Sequence, residues 1–134
     1  MSQENVDVVR RANAAFNRGD VEGSLQLWAP DAVLEDLQNA PDQPGTVEGV
    51  EAIRETMRLW AAAFDEFQAE IEEYIDAPNF VVCRAHWHGH GQASGISIDN
   101  HQFDLYEFRE GKVVRAIIGF RSREEAREAA GLRE

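Results

Sequence analysis

At 134 residues, with 43% hydrophobic and 28% charged side chains, the chain is long enough to bury a core and too apolar to be disordered. Its formal net charge of -12 repels the phosphates of nucleic acid and of anionic lipid, so neither is an expected partner. A single cysteine, Cys83, leaves no internal disulfide, no run is long enough to span a bilayer, and the polar N-terminus does not read as a secretory leader; a cytoplasmic location is expected.

In chain order, Val6, Val9, Asn13 and Phe16 lie at helical spacing and predict a first helix that ends near Gly19. Asp20 is placed to cap a second, shorter helix running to Trp28, with Val21, Leu25 and Trp28 on one face. Pro30 turns the chain, and Ala32 to Asp36 reads as a strand with Ala32, Leu34 and Asp36 on one face. Gln38 to Thr46, with Pro41, Pro44 and Gly45, reads as a loop. Val50, Ile53, Met57, Trp60 and Phe64 form the apolar stripe of a third helix. Four strands follow: one from Phe67, then Phe80 to Gly91, Ile96 to Arg109 and Val113 to Arg121, joined mostly by short turns. Ser122 can cap a last helix over Arg123 to Ala130.

Grouped helices followed by hairpin-linked strands predict one α+β domain spanning residues 1–134. Its form is a cone-shaped roll: three main N-terminal helices on a strongly curved, mostly antiparallel sheet. Trp28, Trp60, Phe64, Trp87 and Phe120, with Phe16, Met57 and Ile118, are available to line an apolar interior. In Phe103-Asp-Leu-Tyr-Glu-Phe108, alternation puts Asp104, Tyr106 and Phe108 on one face and Phe103 and Leu105 on the other. The pattern alone allows either face to turn inward. Asp36 is likewise either a strand-end carboxylate that caps loop N–H groups or an acid in a pocket.

The runs Phe16-Asn-Arg-Gly-Asp20, Leu27 to Asp36, Gly49-Val-Glu-Ala-Ile-Arg54 and Phe108 to Val114 resemble the nuclear transport factor 2-like superfamily, and within it the SnoaL-like proteins. The resemblance covers nearly the whole chain in order. It implies that Asp36 stands where ketosteroid isomerases keep their general base, and Asp104 where they keep a protonated aspartic acid (a pair that serves generally as an example of pKa tuning). The isomerase oxyanion-hole tyrosine is matched by Ala12, and its supporting tyrosines by Trp28 and Met57, which argues against a steroid isomerase. In the SnoaL-like cyclases an aspartate on the same strand works with a histidine of the preceding strand, roles that Asp104 and His90 would fill.

The expected activity is proton transfer on a hydrophobic small molecule, in the manner of an isomerase, cyclase or dehydratase. Asp104 and Asp36 would be the acids, with Tyr106 and His90 orienting the substrate. The alternative is a binding or dimerisation module without chemistry. His86, His88 and His90 share one strand face, opposite the more apolar Val81, Cys83, Ala85 and Trp87, and so turn outward; a β-bulge near Gly89 or Gly91 would bring His90 back inside. A His-x-His pair is a metal-ligand geometry, but no downstream cluster completes a motif, so neither metal nor cofactor is expected. A homodimer through the outer sheet face, around Arg84, His86 and His88, is expected.

Overall fold

The computed structural model describes residues 2–37, 45–91 and 97–131. Most of the expected loop after Asp36 and the connection after Gly91 lie outside them. The elements run α1 (Ser2–Asn17), α2 (Val21–Leu25), β1 (Trp28–Asp36), β2 (Thr46–Glu48), α3 (Val50–Ala63), β3 (Phe64–Ala77), β4 (Phe80–Gly91), β5 (Ser97–Arg109), β6 (Lys112–Phe120) and α4 (Arg123–Ala129). The six strands form one curved, unclosed sheet in the order β2-β1-β6-β5-β4-β3. Among the described residues only β1 and β6 pair in parallel; the other ladders are antiparallel.

The expected α+β architecture is present, with three corrections. Asp20 caps α2 by accepting from the Gly23 amide at 2.9 Å, but the helix stops at Leu25. Trp28 is not its last turn; it opens β1, opposite Val113. A short β2 precedes α3, and β3 begins directly at Phe64 rather than at Phe67. Phe64 satisfies both the helical stripe before it and the strand after it, so periodicity alone cannot place the boundary.

The curvature comes from bulges. The β3–β4 register slips between Asp65 and Gln68 and again between Ile71 and Glu73, and Glu66 there has φ of 51°. Each extra residue bends β3 and increases its twist. β3 is also a sheet edge, with backbone groups to satisfy. Asn17 of α1 meets that need: its side-chain amide donates to the Ala69 carbonyl at 2.8 Å and its oxygen accepts from the Ala69 N–H at 2.8 Å. This pair of bonds holds α1 against the concave face. α2 and α3 are tied together by Arg54, which reaches both oxygens of Glu22 at 2.6 and 3.1 Å.

The main core fills the concave side, where Val9, Leu34, Ile53, Met57, Val81 and Phe108 meet. A second core lies on the convex side under α4, built from Val82, Leu105, Ile117, Phe120, Ala126 and Ala130. Both sheet faces are therefore apolar at that end, as the near-continuous Val113 to Phe120 run requires.

Candidate functional site

The concave face and the helices line a narrow apolar cavity of about 40 Å³. A space of about 10–15 Å³ holds one water, so the cavity takes a few waters and not a fused ring system. One wall is α1, through Val9, Ala12, Asn13 and Phe16; α3 adds Met57 and Trp60. The sheet supplies Trp28 and Leu34 from β1, Trp87 from β4, Tyr106 from β5, and Ala116 and Ile118 from β6. Six of the eight residues expected in the apolar lining are thus brought together: Phe16, Trp28, Met57, Trp60, Trp87 and Ile118; Phe64 instead stacks on Phe67 with centroids 5.3 Å apart.

Phe120 is not in the lining either. It packs on the convex side with Ala126 and Ala130 of α4. The cause is a bulge: the β5–β6 register slips between Phe103 and Leu105, and Gly119 opposite has φ of 98°. The extra residue reverses the alternation, so Ile118 faces the cavity and Phe120 faces away.

The same bulge builds the acid site. Asp104 has no exposed surface. Its Oδ1 accepts from the Gly119 amide at 3.0 Å and from Gln102 Nε2 at 2.8 Å, and its Oδ2 accepts from Trp87 Nε1 at 2.8 Å. Burial pushes its pKa up from 3.8 to about 6, against the pull of those three donors, and the charge of Asp36 adds to the rise. Asp104, Tyr106 and Phe108 do face inward, while Leu105 joins the convex core. Yet the carboxyl lies behind the cavity wall, screened by the indole it binds. Three of its roughly four lone-pair positions are taken, which leaves one on Oδ2 for a proton.

Tyr106 reaches the cavity surface, and burial holds its phenol well above its ordinary pKa, so it is a neutral donor. No hydrogen bond to its hydroxyl is made among the described residues. Asp36 lies further out, on a groove of about 600 Å³ formed with Thr46, Glu48, Glu55 and Leu59. Leu34 and Trp60 line both spaces and form the partition between cavity and groove. Asp36 and Asp104 thus sit at two depths of one interior and do not share a single chamber.

His90 is exposed, with Nδ1 3.1 Å from the Ser97 hydroxyl. The β4–β5 register is unbroken from Phe80 to His90, so no bulge there turns it inward, and it does not line the cavity. The tightest inward position on β4 is Gly89, where a side chain would meet the Phe67 ring at 3.0 Å. Three further residues belong to the site's structure. Gly119 could have been found as an isolated glycine within a strand. Gln102 is an amide on the same strand face as Asp104. Asn13, whose amide donates to the Ala69 carbonyl at 2.8 Å, carries no local signal.

A SnoaL-like domain profile matches residues 9–116. No curated protein matches the chain at significant similarity. Among solved structures, the chain is similar to a Catenulispora acidiphila protein with a ketosteroid isomerase-like fold, in complex with trimethylamine (TM-score 0.73, 19% identity, 94% of this chain and 93% of that one). It is also similar to an NTF2-like protein of unknown function from Burkholderia pseudomallei (TM-score 0.76, 23% identity, 92% and 95% covered). A third is a Mycobacterium tuberculosis protein in complex with estradiol-17beta-hemisuccinate (TM-score 0.75, 18% identity, 86% and 92% covered). At these identities the likeness is one of fold.

Proposed function

We propose, for a chain that belongs to the SnoaL-like domain family, that it is a cofactor-independent acid/base enzyme acting on a hydrophobic small molecule, of the isomerase, cyclase or dehydratase type. The observation that carries this reading is the pairing of a solvent-reachable acid with a neutral phenol across one apolar partition. Asp36 borders the groove, Tyr106 borders the cavity, and Leu34 and Trp60 stand between. Relatives of the same fold solved with trimethylamine and with a steroid ester support a small organic ligand.

In this reading Trp60 turns aside so that cavity and groove join, and the apolar body of the substrate lies against Trp60 and Leu34. The Asp36 carboxylate takes a proton from a carbon next to a carbonyl, and the bonding electrons move onto the carbonyl oxygen. Tyr106 donates to that oxygen as its charge develops. The proton returns from Asp36 to the same or a conjugated carbon. Asp104 is a positioning residue: it fixes the Trp87 indole and the Gly119 turn, and its own charge state alters the field at the cavity. His90, on the outer face, takes no part. A homodimer through the sheet surface around Arg84, His86 and His88 belongs to the same proposal.

The second reading, a binding module without chemistry, is favoured by one observation: the cavity, about 40 Å³, is far below the ~300–1,000 Å³ of ordinary ligand sites. Hydrogen–deuterium exchange separates the two. A panel of apolar ketones is incubated with the protein in D2O, and loss of the α-proton signal is followed by NMR. The enzyme reading expects catalysed exchange that falls at least about 100-fold in Asp36→Asn, the scale of a positioned general base. Ketones that bind but never exchange establish the binding module instead, and catalysed exchange undiminished in Asp36→Asn removes Asp36 as the base.

A further inference from the structure

On the convex face, opposite the cavity, β3, β4 and β5 bring together side chains that are far apart in sequence. Glu70 of β3 stands opposite His86 of β4, which stands opposite His101 of β5; His88 and Asp99 are the next opposed pair outward on β4 and β5. Two groups of three potential ligands result, Glu70–His86–His88 and His86–Asp99–His101, each with its ligand atoms within 4.8 Å of one another. The sequence offers a His-x-His pair and no local completing motif; the completing carboxylates arrive across the sheet.

Geometry chooses between the groups. His86 Nε2 lies 2.6 Å from Asp99 Oδ1. An exposed carboxylate is an acceptor only, so at this distance Nε2 donates the proton and Asp99 Oδ1 accepts it. That leaves Nδ1 of His86 as the ring's ligand atom, and it points to Glu70 Oε2 at 3.9 Å. Nε2 of His88 meets the other oxygen, Glu70 Oε1, at 3.3 Å. In a tetrahedral site with metal–ligand bonds of about 2.0–2.1 Å, ligand atoms stand about 3.3 Å apart; His88 and Glu70 already have that spacing, and His86 must draw in from a group that spans no more than 4.8 Å. The second group fits badly. His86 and His101 are stacked, with centroids 4.1 Å apart and planes 11° apart, so their in-plane lone pairs run parallel and do not converge. The His86 and His88 rings are tilted by 46°.

We propose that Glu70, His86 Nδ1 and His88 Nε2 bind one divalent transition-metal ion of the zinc class, with Asp99 as the carboxylate that orients His86. A histidine ligand whose other nitrogen donates to a carboxylate is the usual support of such sites, because it fixes the tautomer and raises ligand basicity. Two imidazoles and one carboxylate form a donor set suited to Zn2+ and its neighbours and leave a fourth position open. Arg84, two residues before His86 on the same strand face, is paired with Glu72 at 3.4 Å. The rings are held on a sheet, with His86 pinned between Asp99 and the His101 stack, so little ordering remains to be done on binding.

The test is calorimetric titration of the tag-free, chelator-stripped full chain with Zn2+ alone. One ion per chain is expected. His88→Ala and Glu70→Gln should each weaken binding at least tenfold, and Asp99→Asn by about 10–100-fold as an orienting partner. His101→Ala, outside the ligand set, should change it by no more than about twofold. All four positions are on the surface, so the variants fold. Absence of saturable uptake overturns the proposal. So does binding unchanged in His88→Ala, or binding lost more in His101→Ala than in His88→Ala, which would seat the ion in the rejected group.

Discussion

At Asp104 a carboxyl group with no exposed surface faces three N–H donors and still has its pKa raised to about 6. Desolvation therefore outweighs three hydrogen bonds. The sign for stability follows from the raised value. The folded protein holds a proton that the unfolded chain releases near 3.8, so the contribution is complete below about pH 4 and is lost as pH rises through about 6. A shift of this size corresponds to about 3 kcal/mol. Urea unfolding of wild type and Asp104→Asn at about pH 4 and about pH 8 should show their stability difference changing by that amount, with wild type relatively weaker at the higher pH. Gly119 is the partner that permits the arrangement. Its φ of 98° is strained for any residue with a side chain, so Gly119→Ala should cost about 1–3 kcal/mol in the same measurement. Alternation in Phe103 to Phe108 allowed two parities, and the resemblance chose the inward one for Asp104. What alternation could not tell is that three of the carboxyl's acceptor positions would be taken by Trp87, Gln102 and Gly119.

Among the elements, α3 was the most legible, because Val50, Ile53, Met57 and Trp60 repeat a helical period that burial alone dictates. Trp28 was misplaced for an equally physical reason. Val21, Leu25 and Trp28 keep helical spacing, and only the parallel pairing with distant Val113 makes Trp28 a strand residue. Phe120 was misplaced because one bulged residue reverses every later side chain. The bond pair from Asn17 to the β3 edge makes a testable joint. Asn17→Ala leaves the Ala69 N–H and carbonyl without that partner and should cost about 1–3 kcal/mol, with faster amide exchange at Ala69 as the local sign. Trp60 is the other joint, packed edge-on against Phe16 and Trp87 at 6.4 and 6.1 Å. Removing it joins cavity to groove. Trp60→Ala should cost about 3 kcal/mol in urea unfolding and, in a fluorescence titration, tighten binding of bulky apolar probes.

For the molecule as a whole, the two faces of the sheet have different chemistry. The concave side is apolar with acids at two depths, while the convex side is split between the α4 core and an open surface of paired charges. Arg123 binds both oxygens of Glu73 at 2.7 and 2.9 Å there, and His86 and His88 meet Asp99 and Glu70. A dimer formed through this surface would be polar and wet rather than a core cut in half. It should weaken in Arg84→Glu with His88→Glu; sedimentation velocity unchanged by that pair would place any dimer elsewhere. The overall α+β order was readable because each element announces itself locally. The convex cluster was not, since Glu70, His86 and Asp99 meet only through strand register.

The central claim is that Asp36 handles a substrate proton across the Leu34–Trp60 partition. Its most direct test is a crystal structure of the chain with an apolar ketone bound. The ketone oxygen is expected within hydrogen-bond reach, about 3 Å, of the Tyr106 hydroxyl, and the Asp36 carboxylate equally close to the α-carbon. A ketone seated in the interior with Asp36 turned to bulk solvent and no acid near its α-carbon would contradict it.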